Sequence, residues 1–126
     1  MTKNFSKSEF DSKDGSPMPE IVEINIFKLA ENLEILRDYI NCPIKINSGY
    51  RSPSWNANIG GVIDSQHVKG NAADLVTLNF TPKQLYTIIE ELIINGWMDE
   101  GGLGLYDTFV HYDRRGTRAR WDKTTK

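Results

Sequence analysis

The stretch Ser65-Gln66-His67-Val68-Lys69-Gly70-Asn71-Ala72-Ala73-Asp74-Leu75-Val76 sets a polar, glycine-bearing segment directly against a run of small and branched apolar residues. Ala72 to Val76 reads as a strand, and Gly70 marks the loop from which it leaves. Asp74 lies seven residues after His67 with a glycine between them, so the loop can turn back and bring the strand's carboxylate to the imidazole. The only other histidine is His111, in Thr108-Phe109-Val110-His111-Tyr112-Asp113. There the twofold period of a strand puts Phe109, His111 and Asp113 on one face. Two imidazoles and one carboxylate suit divalent zinc and leave a fourth position open to water. His67, Asp74 and His111 are therefore the candidate metal ligands.

The elements around these segments follow from local pattern. Ile44-Lys45-Ile46-Asn47-Ser48 alternates apolar and polar and is stopped by Gly49 and Pro53, which predicts a short half-buried strand. Upstream, Ile24, Phe27, Leu29, Ala30, Leu33, Leu36, Tyr39 and Ile40 recur near helical spacing, predicting a long amphipathic helix from Glu20 to Asn41. Its Glu31, Glu34, Arg37 and Asp38 read as the solvated face. Residues 54–62 read as a turn of helix closed by Gly60-Gly61. Thr81-Pro82 starts a second main helix, with Thr81 as its cap and Pro82 at its first position, running to Asn95-Gly96. Gly101, Gly102 and Gly104 precede a last strand or hairpin over 105–112. Trp55 and Trp97 are assigned to packing. The expected class is α+β, with two main helices packed on a small antiparallel sheet. The expected organisation is one domain over residues 1–126. Residues 1–19 form an irregular arm anchored by Phe5 and Phe10, and residues 114–126 a solvated, partly frayed basic tail.

Composition narrows the function classes. The chain has 126 residues, 15 basic and 17 acidic, for a formal charge of −2, and 39% are hydrophobic. This describes one packed domain with none of the basic excess of a general nucleic-acid binder. The single cysteine, Cys42, excludes an internal disulfide and reads as a small packing residue. The opening MTKNFSKSEFDSKDGS lacks the ~7–15-residue apolar stretch of a signal peptide. No segment approaches the ~20 apolar residues of a bilayer span. The expectation is a protein with no membrane partner, made in the cytoplasm without Sec export.

Residues 65–74 match at every defined place the pattern Ser-x-His-x-x-Gly-x-Ala-x-Asp, and with this the chain resembles the zinc D-Ala-D-Ala carboxypeptidases and related peptidoglycan endopeptidases. Ser48-Gly49-Tyr50-Arg51-Ser52-Pro53 is similar to that family's Ser-Gly-Tyr-Arg-Ser motif. Gly101-Gly102-Leu103-Gly104-Leu105-Tyr106, with Phe109 to Asp113, is similar to its closing strand. The resemblance spans residues 46–121 and implies a Zn2+ site of His67, Asp74 and His111 on the small α+β fold shared with the hedgehog signalling domain. It also implies that Arg51 and Ser65 lie near the substrate. Arg51, at a strand end, can present its planar fork to a carboxylate of a stem peptide, or instead form a surface salt bridge. Tyr50, Tyr106, Tyr112 and Trp121 are candidates to shape a groove, Tyr50 foremost as a substrate contact, with core or rim packing as the alternative.

One position departs from the family. An acidic residue three places before the last histidine serves as general base in its better-known branches, and here Thr108 stands there. Threonine cannot accept the proton. Asp113 is the expected replacement, with ligand orientation or pairing to Arg51 or Arg115 as the other readings, and Asp107 is second choice. The function expected is zinc-dependent hydrolysis of an amide bond in peptidoglycan stem peptides or crosslinks. The expected place of action is the bacterial cell wall, as a monomer or within a virion or lysis assembly. A zinc-stabilised but catalytically weak wall-binding or virion module is the alternative, tied to Thr108. A non-haem iron triad fits less well, because such sites usually sit on jelly rolls with many more strands.

Overall fold

The computed structural model describes residues 1–125. Helix α1 spans Glu20–Ile40 and ends at Asn41, which takes the left-handed conformation (φ 50°) that asparagine tolerates better than most side chains. Strand β1 is Lys45–Ser48, α2 is Pro53–Asn58, α3 is Gln66–Lys69, β2 is Ala72–Val76 and α4 is Pro82–Ile94. Strands β3 (Gly102–Leu105), β4 (Val110–Asp113) and β5 (Ala119–Asp122) follow. At α4 the Thr81 hydroxyl accepts from the Gln84 N–H while the Gln84 side chain accepts from the Thr81 N–H, a reciprocal cap.

The five strands are ordered β1-β2-β4-β3-β5, antiparallel except that β5 runs parallel to β3. The α+β class holds, but the sheet is mixed. The difference comes from the segment expected as a basic tail. Arg118 and Arg120 both pair with Glu90 on α4, and Arg120 also reaches Glu100, which fastens β5 as an edge strand. Lys126 lies outside the described residues.

One face of the sheet packs into the core through Ala73, Leu75, Leu103, Val110 and Tyr112. Helix α1 covers it with Val22, Ile26, Leu29, Ala30, Leu33, Leu36 and Ile40, and α4 with Leu85, Ile89, Leu92 and Ile93. Ile24, Phe27 and Tyr39, expected on the apolar stripe of α1, are exposed. Ile24 sits two residues, about 200° of helix, from both Val22 and Ile26, while Phe27 and Tyr39 are offset by about 100° from Ile26 and Ile40. Trp97, assigned to packing, is 66% exposed. Phe5 and Phe10 are buried as expected of the arm's anchors. Glu34, read as solvated, also holds the arm by accepting from the Asn4 N–H (2.6 Å) and side-chain amide (2.7 Å). Cys42 is buried. Among the described residues no helix is long and apolar enough to cross a membrane.

The sheet's register aligns Ser48 with Asp74, Asp74 with His111, His111 with Gly104, and Gly104 with Trp121. Directly opposed residues in a sheet share a face. A single row across all five strands, on the face away from the core, therefore carries both ligand candidates that belong to strands.

Candidate metal centre

His67 is delivered to this row by α3, a four-residue helix where sequence patterning sees only loop. Ser65 caps it, its hydroxyl accepting from the His67 N–H at 3.2 Å. Gly70, in the left-handed region at φ 79°, closes it; its Cα side faces Val22 of α1, and a side chain there would collide with that helix. Gly70 thus serves the packing of α3 on α1.

The partners of the two rings govern which nitrogens face the site. His67 Nδ1 lies 2.8 Å from the Gly49 carbonyl oxygen, an atom that only accepts, so the ring's proton sits on Nδ1. His67 Nε2 then presents a lone pair, 3.4 Å from Asp74 Oδ1. His111 Nε2 lies 2.7 Å from Asp113 Oδ2 and Nδ1 lies 3.2 Å from the same Asp74 oxygen, so a single ring proton at the shorter contact leaves the Nδ1 lone pair facing Asp74. All three ligand atoms lie within 4.8 Å of one another in buried surroundings. With those facing ring positions deprotonated, three electron-pair donors converge on one point, where a cation takes the place of the protons. Tetrahedral zinc with bonds of about 2.0–2.1 Å would space its ligand atoms about 3.3 Å apart, close to the 3.4 and 3.2 Å that separate the two ring nitrogens from Asp74 Oδ1.

Charge at the site follows the same logic. Burial pushes the Asp74 carboxyl up, but the His111 and His67 rings outweigh it and hold the group below the ordinary carboxylate range. Burial pushes His111 down, and Asp113 and Asp74 overcome this and leave the ring above its ordinary value. These anionic surroundings favour a bound cation.

Asp113 is wholly buried. Its Oδ1 accepts from the Gly102 N–H (2.9 Å), the Arg115 N–H (3.1 Å) and Arg115 Nε (2.9 Å), and its Oδ2 from His111 and from Arg115 Nη2 (2.8 Å). Gly102 permits this, because a Cβ there would overlap the carboxylate. Asp113 therefore sits behind His111 with its oxygens occupied by these donors, the placement that the orienting alternative expects. Asp107 is no substitute, since its carboxylate faces outward and accepts from the Thr125 N–H (2.9 Å) and hydroxyl. Thr108 is exposed and lines a small cavity together with Leu75, Phe80 and Leu85, away from the cleft over the metal face.

An open cleft of about 690 Å³ runs over the row. Arg51 lines it, held by Ser48 Oγ (3.2 Å) and Asn56 Oδ1 (3.3 Å), with one guanidinium nitrogen 3.5 Å from the second Asp74 oxygen. Ser65 also lines it, though its hydroxyl is committed to the α3 cap. Tyr50 does not; it is 4% exposed within the core, its N–H donating to the Phe10 carbonyl, which corrects its expected substrate contact. Tyr112 is likewise core, whereas Tyr106 and Trp121 form part of the cleft wall. Besides Asp74, the carboxylate lining the cleft is Asp64, exposed and paired with Lys69 at 3.3 Å.

Residues 3–113 match the peptidase M15 family. The chain belongs to that family. A zinc D-Ala-D-Ala carboxypeptidase from Streptomyces albus G is 52% identical to this M15 chain over 33 residues, a stretch covering 26% of the chain and 13% of that protein. The shared stretch is thus about an eighth of the relative's length.

Proposed function

We propose that this M15 protein is a zinc-dependent peptidase that hydrolyses an amide bond in peptidoglycan stem peptides or crosslinks. The observation that carries the reading is the convergence of His67 Nε2, Asp74 Oδ1 and His111 Nδ1, each ring fixed from behind, by Gly49 and Asp113. Zinc bound there would supply an activated water near neutral pH and polarise the scissile carbonyl. Asp113 holds His111 in the tautomer that leaves Nδ1 free, and Arg115 keeps Asp113 ionised and in place. Arg51, adjoining Asp74 at the cleft wall, offers its remaining donors to a carboxylate or carbonyl oxygen of the peptide. Wall stem peptides are rich in carboxylates, which suits this cation; the relative's printed name supports a D-alanyl peptide as substrate. Under this reading the protein works at the bacterial cell wall, alone or inside a virion or lysis assembly.

A second reading, a zinc-stabilised wall-binding module, draws on one observation: Thr108, Asp107 and Asp113 are all turned away from the cleft or saturated. One experiment separates the two. Purified protein is incubated with wall sacculi and with synthetic stem peptides, with zinc, with a chelator, and with zinc restored. The peptidase reading expects release of free amino groups that the chelator abolishes and zinc restores; sedimentation with sacculi without any release would overturn it in favour of the module.

A further inference from the structure

The family match ends at residue 113, yet β5 supplies one wall of the cleft. Trp121 is the last member of the cross-strand row, next to Gly104. A Cβ at Gly104 would overlap the Trp121 indole around Nε1, so the glycine is what lets the indole lie across the sheet. It reaches the ligand ring itself, with the His111 and Trp121 ring centres 5.1 Å apart. The Arg115 guanidinium lies 5.4 Å from the indole's centre and ties it to the residue that also holds Asp113.

The indole N–H is spent on one partner, donating to the Tyr106 hydroxyl oxygen at 3.0 Å. The Tyr106 ring is stacked on Phe109, with centres 4.3 Å apart and planes inclined by 10°. Stack and hydrogen bond together fix the phenol, and they occupy its oxygen as an acceptor. The hydroxyl's own proton meets no acceptor among the described residues, and Tyr106 lines the cleft. A neutral donor bonded to the indole that touches a ligand ring, in the same cleft as a cationic Arg51, complements a neutral backbone carbonyl and leaves a carboxylate to the guanidinium.

We propose that Tyr106 is a substrate-binding residue that donates a hydrogen bond to a backbone carbonyl of the bound peptide, and that Trp121 is a positioning residue that aims this hydroxyl. The proposal rests on the peptidase reading above. Because Trp121 acts through Tyr106, removing the indole N–H matters only while the phenol is present.

The test is a double-mutant cycle on zinc-loaded protein, with a soluble muramoyl pentapeptide as substrate and bound zinc measured on every variant. Tyr106→Phe is expected to raise KM about three- to tenfold with kcat within about twofold, the signature of a contact equal in ground and transition states. Trp121→Phe is expected to raise KM less, and Tyr106→Phe/Trp121→Phe to match Tyr106→Phe alone, all with one zinc per chain. Unchanged KM in Tyr106→Phe, or two effects that simply multiply, would overturn the proposal while leaving the peptidase reading intact. A wild-type protein that releases amino groups from neither stem peptides nor sacculi would bring down that reading and this one together.

Discussion

The two ends of the row Ser48-Asp74-His111-Gly104-Trp121 are built on different principles. At the β2–β4 end the site is polar and over-determined. Each ligand ring has one nitrogen tied down by a fixed partner, and Asp113 behind His111 is held by four further donors, one from Gly102 and three from Arg115. At the β3–β5 end it is aromatic and depends on an absence, the missing side chain of Gly104, with a single hydrogen bond from Trp121 to Tyr106. Electrostatic sites need every buried charge answered, whereas a stacking wall needs room and one well-aimed donor. The first end gives the chemistry its cation; the second shapes what is presented to it.

The sharpest way to break the contrast is to loosen the polar end without touching the ligands. Asp113→Asn leaves Arg115 without its anion and lets the His111 ring turn. Zinc affinity, measured by competition with a chromogenic chelator, is expected to fall about 10–100-fold. An unchanged affinity would mean that the ring is oriented by something else. Next comes Arg51→Lys, which keeps the charge but loses the planar fork held by Ser48 and Asn56. A fall in kcat/KM of roughly tenfold on stem peptides is expected, with zinc retained.

At the aromatic end, Gly104→Ala forces the indole off the sheet. Overpacking of this kind costs about 1–3 kcal/mol, to be read from urea unfolding, and zinc affinity should stay near wild type because no ligand is displaced. A large loss of zinc would show that the two ends are one unit. The smallest effect belongs to the tether of β5. The hydrogen bond from Arg120, helped by Arg118 and opposed by partial burial, holds Glu90 down at about 2. A depressed carboxylate stabilises the fold above its unfolded value of about 4.5 and loses that contribution as pH falls toward 2. Glu90→Gln should therefore cost about 1 kcal/mol at neutral pH and flatten the acid limb of the stability curve between about pH 4.5 and 2.

The same contrast decides what could be read from the sequence. The main helices, β1, β2 and β4 follow from periodicity, caps and glycines, and the ligand set from one decapeptide and one strand parity, whereas β3 occupies the glycine-rich stretch expected only to precede the last strand. Asp113 was legible as a neighbour of His111, because parity fixes its face; parity does not reveal that Gly102 and Arg115 would saturate it. Tyr50 stands beside Arg51, but its side chain turns into the core. The short helix carrying His67 has too few residues to show a period, its signal being only the Ser65 cap. Strand β5 was illegible for a different reason. Ala119-Arg120-Trp121-Asp122 has the charge density of a tail, and Arg120 orders it through Glu90, Glu100 and the Gly101 carbonyl, partners some 20 to 30 residues away in sequence. Trp121 was visible as a groove candidate, yet nothing local connects it to His111.

The central claim is that His67, Asp74 and His111 grip one catalytic zinc ion. Metal content by mass spectrometry on the purified chain and on Asp74→Ala, each dialysed against buffered zinc, tests it most directly. The account predicts one zinc per wild-type chain and its loss from Asp74→Ala together with peptide hydrolysis; stoichiometric zinc retained by the variant would contradict it.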